Sequence, residues 1–309
     1  MQFAFLISLF SFAKQYTINE LLLKVWFWLW SYIAICILIS FIIYQSGFFE
    51  FTPKYLLDNS SDADYYYSHI PFVGNFVNYN LLGFSVPKSS WYAFEPGMIS
   101  FFFGFNALLC NYLKEAGLLK SKVSFFRYIS LLGGFFTFSS TFILFLIAYF
   151  ICSIFKFVRL AVFKFLILIT SACFISILFF TLFVGDGYLE ATSFGDRSVR
   201  VQYAYHMLQS SNLFEVLFGN GLGSPIDLYG IGLASGFLSI LVEQGLVFLI
   251  TTLIVVYFML RGKCGLFCYF LFYLLTFNPV FYPMTAIGLY IAHVCNNRVN
   301  AKVVHPILG

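Results

Sequence analysis

Residues 21–46 carry one charge, Lys24, and are otherwise almost wholly aliphatic or aromatic. As an α-helix such a run rises roughly 39 Å, more than the ~30 Å hydrocarbon core of a bilayer. A soluble domain of this size has no interior in which several such runs could be hidden from water. Further runs of the same kind are read at 1–13, 97–113, 125–138, 139–155, 165–184, 233–258, 264–278 and 280–296. With 61% hydrophobic and only 10% charged residues, the composition excludes an ordinary soluble fold. The fold class expected is all-α: a polytopic transmembrane helical bundle of about 8–10 spans, forming a single integral membrane domain over 1–309. The 44 phenylalanines carry little functional weight, since codon bias alone can enrich them.

The first segment, "MQFAFLISLFSFAK", lacks a basic n-region and leads directly into another apolar run, so no cleavable leader is expected. The seven cysteines fall in or beside apolar runs and neither long polar loop contains one, so no disulfide framework is expected. Cys264 and Cys268 share a helical face, yet with no His or further Cys nearby they read as buried cysteines rather than as a metal site. Residues 125–155 and 264–296 each read either as one long helix or as a hairpin of short helices, broken near "TFSS" (137–140) and "NP" (278–279). Proline lacks a donor and biases its predecessor away from helix, which favours the second break.

The charges favour both hairpins. With the C-terminus in the cytoplasm, Lys14, Lys24, Lys114, Lys120, Lys122, Arg127, Lys156, Arg159, Lys164, Arg261, Lys263, Arg298 and Lys302 lie inside or at the inner boundary. Of the 17 basic residues only Lys54, Lys88, Arg197 and Arg200 remain outside. Nine spans put the N-terminus outside, which points either to lost upstream helices or to a first segment that does not span. Two long loops then face outward, 47–96 and 185–232. The first mixes Asp, Tyr, Asn, Trp and Gly, a composition suited to sugar rings and equally to an aromatic belt at the membrane surface.

Arg197 and Arg200 stand in "SFGDRSVRVQYAYHML", where Ser193 and Asp196 have capping-box spacing. On that helix Arg197, Arg200, Ala204 and Met207 share a face, with Tyr203 beside them. Guanidinium forks suit phosphate oxygens and stay charged; pairing with Asp186, Glu190 or Asp196 accounts for them equally well. His206 lies about 180° from Arg197 and about 120° from Arg200 around the helix, which makes it an interfacial histidine rather than a base in their site. "GNGLGS" (219–224) imitates a nucleotide loop but follows no strand, and reads as tight turning before the next span. Glu243 lies ~15 Å down a span that starts near Leu233, where an acid costs ~2.5–3.5 kcal/mol, so a functional or strongly paired role is expected. Glu95, in "FEPG", precedes Pro96 at the start of a span, where a carboxylate favours the helix N-terminus or serves chemistry.

Together these landmarks resemble the O-antigen polymerase and O-antigen ligase superfamily of bacterial envelope glycosyltransferases. "WYAFEPGMISFF" resembles that family's "EPG" opening of a span, and "LLGGFFTFSST" stands in place of its "LLTxS" stretch. "RSVRVQYAYHML…LFGNGLGS" resembles the outward arginine segment leading into "lfGxGxG". "LASGFLSILVEQGL" resembles "HNsfLxxLxExGl", and "NPVFYPMTAIGLYIAH" the closing segment. Ala234 occupies the position where ligases carry His, while Ser235 and Gly245 keep the spacing, so polymerase is preferred to ligase.

The resemblance implies a multi-pass protein of the bacterial inner membrane that joins polyprenyl-pyrophosphate-linked oligosaccharide repeat units into O-antigen or capsule at the outer face. It implies pyrophosphate binding by Arg200, the better match to the family arginine, assisted by Arg197. A catalytic base would be Glu243 or Glu95. No cofactor, metal or nucleic acid is implied. The partners would be the lipid-linked sugar, the bilayer, a flippase and a chain-length regulator. The competing readings are an O-antigen ligase and a non-enzymatic transporter or flippase of the same lipid-linked sugars.

Overall fold

The structure, a computed structural model, describes residues 20–47, 52–53, 64–67, 73–81, 84–91, 96–115, 117, 119, 122–157, 193–230, 233, 235–275 and 283–304. Its elements are α1 (Glu20–Ser46), β1 (Thr52–Pro53), β2 (Asp64–Tyr67), β3 (Asn75–Leu81), β4 (Phe84–Trp91), α2 (Pro96–Glu115), α3 (Val123–Phe136) and α4 (Ser140–Phe157). After these come α5 (Ser193–Ser210), α6 (Leu213–Phe218), α7 (Ser224–Tyr229), α8 (Gly236–Met259), α9 (Cys264–Leu274) and α10 (Pro283–Val304). The described chain is mostly helical. Among the described residues, three helices are long and apolar enough to cross a membrane, at Leu21–Ser46, Pro96–Lys114 and Gly236–Met259. Shorter apolar helices accompany them at Val123–Phe136, Thr141–Phe150, Cys264–Leu274 and Met284–Val294. The runs expected at 1–13 and 165–184 lie outside the described residues.

Cross-helix contacts order the bundle from end to end. Near the end where α2 starts, Ser40 Oγ of α1 accepts a bond from Gly74 N at 2.8 Å. At about the same level the hydroxyls of Ser100 on α2 and Tyr273 on α9 lie 3.2 Å apart. Midway, Trp26 Nε1 of α1 donates to Asn106 Oδ1 of α2 at 2.7 Å, satisfying two buried polar groups at once. At the far end Lys263, before α9, is buried and donates Nζ to the Ala292 carbonyl of α10. The helices therefore run alternately up and down. The C-terminus of α1 and the start of α8 lie at one end, and Gly117, Lys122 and the turn at 260–263 at the other.

Aromatic packing fills the centre. Phe27, Phe101, Phe103, Phe105, Phe126, Phe270 and Tyr273 are all fully buried in one cluster. Glycines let the helices close up: at Gly133 a Cβ would strike Ala34 and Phe103, and at Gly134 it would strike Phe142. The expected hairpin at 125–155 is present as α3 and α4, joined by the turn Thr137–Ser139, where Thr137 Oγ1 donates to the Gly134 carbonyl at 2.6 Å. Residues 264–296 likewise divide into α9 and α10, and Pro96 opens α2 as expected.

The loop at 47–96 departs from an all-α expectation. Its described residues form a four-stranded antiparallel sheet in the order β1-β2-β3-β4. β3 and β4 form a hairpin closed by the Leu81–Phe84 pair across a two-residue connection. Pro87 lies in β4, an edge strand, where its missing N–H leaves no ladder bond unmade. The sheet is seated on the bundle by Phe76, fully buried and stacked on Tyr44 of α1 at 4.6 Å. A second departure concerns Cys264 and Cys268. Both are exposed, with sulfurs 3.8 Å apart on one face of α9, rather than buried.

Candidate functional site

α5 begins at Ser193, as the "SFGD" pattern predicts. Its Ala204 and Met207 are buried against Val242 of α8, with Leu208, Leu233 and Leu238 packed around them. Arg200 lies one turn before Ala204 on the same face. It is half-buried, with its Nε enclosed. Tyr203 stacks on Tyr229 of α7, ring centroids 4.4 Å apart and planes within 10°, which ties α5 to α7. His206 is exposed. The backbone of Arg197 belongs to α5, while its side chain and all of Glu95 lie outside the described residues.

Glu243 sits in an irregular place. Ser235 caps α8, its Oγ accepting from Leu238 N at 3.4 Å, and the helix proper starts at Gly236. Glu243 is therefore seven residues in, ~10 Å rather than ~15 Å below the start. Two residues later the helix breaks: Gly245 has φ 84° and ψ 171°, a conformation essentially reserved for glycine. The break denies the preceding carbonyls their usual i+4 donors, and unsatisfied carbonyls in an apolar setting are costly.

The "GNGLGS" loop supplies replacements. Asn220 N donates to the Val242 carbonyl at 2.8 Å, and Gly221 N to the Glu243 carbonyl at 3.0 Å. Asn220 Nδ2 adds a second bond to Val242 O at 3.2 Å and one to Ser211 Oγ at 3.1 Å. The approach is possible because both partners are glycines. A Cβ on Gly219 would strike the Glu243 carbonyl, and one on Gly245 would strike the Leu217 carbonyl. α6, which leads into this loop, is capped by a reciprocal box: Asn212 Oδ1 accepts from Glu215 N at 3.0 Å and Glu215 Oε2 accepts from Asn212 N at 2.8 Å.

The Glu243 carboxylate is half-buried at the rim of this junction. Oε1 accepts from Ser239 Oγ at 3.0 Å and Oε2 from Gly223 N at 3.4 Å. An ionised carboxylate has about four acceptor positions, so capacity remains for a hydroxyl brought to it. Among the described residues, no three His, Cys, Asp or Glu side chains come together in a metal-binding group.

The junction thus unites two of the sequence-predicted segments, the arginine-bearing α5 and the carboxylate-bearing start of α8. It adds Ser239, which the sequence did not single out, and close contacts with α8 that the sequence did not reveal for Gly219, Asn220 and Gly223, Gly245 being the partner glycine in α8. One signal was present for them, an isolated Gly directly after "EQ" inside an apolar span, which points to a close backbone approach or a break. Compared with known proteins, the chain matches no family model, no curated protein and no solved structure.

Proposed function

We propose that this chain is a polysaccharide polymerase of the bacterial inner membrane, acting at its outer face on polyprenyl-pyrophosphate-linked oligosaccharide repeats. The observation that carries the reading is the junction of α5 with α8. The segments resembling the family's arginine helix, glycine loop and glutamate span pack onto one another at a single end of the bundle. In this reading the long apolar helices span the bilayer with the shorter ones beside them. The sheet end faces outward and the turns carrying Lys122, Arg261 and Lys263 face the cytoplasm.

The chemistry follows from the residue types. Arg200, with Arg197, holds the pyrophosphate and offsets the negative charge that grows as the bond from the anomeric carbon to the phosphate oxygen breaks. A hydroxyl of the acceptor repeat attacks that carbon. Its proton passes to a carboxylate, Glu243 or Glu95, and polyprenyl pyrophosphate departs. Ser239 Oγ and Gly223 N hold the Glu243 carboxylate, which keeps acceptor capacity for the incoming hydroxyl.

One observation favours a second reading. A helix broken beside a charged residue is also how transporters build substrate sites, so the same junction fits a carrier of lipid-linked sugars. The polysaccharide profile of a deletion strain separates the readings. Carrier-linked single repeats transferred to the final acceptor indicate a polymerase. Complete absence of surface product, with lipid-linked repeats retained, indicates a ligase or a flippase.

A further inference from the structure

The surface of α6, the glycine loop and α7 is unusual for a loop outside a membrane. Leu213, Phe214, Leu222 and Leu228 are between 66% and 76% exposed, and Phe218 and Ile226 are more than half exposed. Over 213–229 the charges are Glu215 and Asp227 alone, with no Lys or Arg. Glu215 already spends one oxygen on the Asn212 amide. So large an apolar patch in water would be an aggregation hazard.

The docking depth says what covers it. α8 runs 24 residues, ~36 Å, and the turn after it carries Arg261 and Lys263. With Met259 at the inner boundary of a ~30 Å core, the outer boundary crosses α8 ~6 Å below Gly236. Gly245 lies ~13 Å below Gly236, so the Gly219–Gly245 contact sits ~7 Å inside the hydrocarbon. Irregular backbone at that depth survives only when protein satisfies it, as the Asn220 and Gly221 amides do for α8. Leu246, Val247 and Ile250 of α8, just past the break, are exposed apolar residues as well.

We propose that residues 213–229 form a re-entrant dip in the outer leaflet, with lipid acyl chains covering Phe214, Leu222 and Leu228. The dip carries a peptide N–H, that of Gly223, down to a carboxylate that would otherwise face hydrocarbon. The inference rests on the reading that α8 spans the bilayer and is independent of the polymerase chemistry.

The test uses the full-length protein in native membranes, with a diazirine amino acid placed in turn at Phe214, Leu222, Leu228, Ile250 and Lys122. Illumination gives phospholipid adducts where the side chain meets acyl chains and a water-addition product where it meets solvent. Phe214, Leu222 and Leu228 should yield phospholipid adducts at the level of Ile250, and Lys122 the water product. Water addition or protein crosslinks at the three positions, with lipid adducts still formed at Ile250, would overturn the dip alone. Loss of lipid adducts at Ile250 as well would overturn the spanning reading and the dip with it.

Discussion

Replacing Gly245 by Ala should uncouple the loop from α8 without expelling the helix from the membrane. At φ 84° and ψ 171° an L-residue pays ~1–3 kcal/mol of backbone strain. The new Cβ would also overlap the Leu217 carbonyl and stand 2.5 Å from Gly219 N. Both are main-chain atoms that cannot rotate away. Once the loop leaves, α8 can straighten, and there alanine is favoured over glycine by ~1 kcal/mol. The docked arrangement therefore weakens by about 2–4 kcal/mol, at least ~30-fold in population. The straightened helix also regains its own hydrogen bonds, so protein level should hold.

Hydrogen exchange of the purified protein in nanodiscs reads the docking directly. Peptides covering 213–223 should exchange at least ~30-fold faster in Gly245→Ala than in wild type, since local opening sets the rate. Gly221→Ala is the control: φ there is 99° but a Cβ would meet nothing within 4 Å, so only strain is added and the change should be smaller. Gly219→Ala, whose Cβ would strike the Glu243 carbonyl, should behave like Gly245→Ala. Wild-type exchange in both interlocked variants would refute the close approach as the reason for the glycines.

Three further outcomes are expected. Arg200→Lys should abolish most polymer although charge is kept, because an ammonium cannot present a fork to pyrophosphate, while Arg197→Lys is milder; polysaccharide ladders from complemented deletion strains give the comparison, and near-normal ladders from both would leave the arginines structural. Glu243→Gln retains shape and an acceptor for one of its two donors but removes basicity, so normal protein level with only single repeats is expected, whereas long chains would leave Glu95 as the carboxylate candidate. In intact cells, an impermeant thiol reagent should modify a cysteine at Gln202 and spare one at Lys122, both exposed positions at opposite ends of the bundle; the reverse pattern would invert the topology.

Much of the helical frame was legible because its signals are local. Pro96 marks the start of α2, "SFGD" that of α5, and the turn at Thr137–Ser139 divides α3 from α4. The face shared by Arg200, Ala204 and Met207 follows from helical spacing alone, and burial of the latter two agrees with it. The sheet was missed although it had local signals too: an aromatic- and Val-containing run at 75–81, a two-residue connection at 82–83 and a second run at 84–91. Tyrosine-rich strands share their composition with an interfacial belt and with a sugar-binding surface, so composition alone does not mark them as strands.

The break in α8 illustrates what a local pattern suggests but cannot decide. From Gly236 to Met259 the chain is apolar on both sides of Gly245, and a lone glycine in a span normally stays helical because an uncapped break in hydrocarbon is so costly. It breaks here because amides 24 and 25 residues upstream in sequence, those of Gly221 and Asn220, are held where the freed carbonyls point. That placement depends in turn on α6, on the Ser211–Asn220 pair and on the seat of Met207 against Val242, each a contact between distant segments. The acid follows the same logic. Glu243 reads from sequence as an isolated charge deep in a span, whose cost argues for function or for strong pairing. With the loop in place it is a carboxylate with two donors at the edge of a break, and its presence there no longer needs catalysis to explain it. This is why the decisive comparison for Glu243 is the glutamine variant at normal protein level: support for the junction and service as a base part company only there.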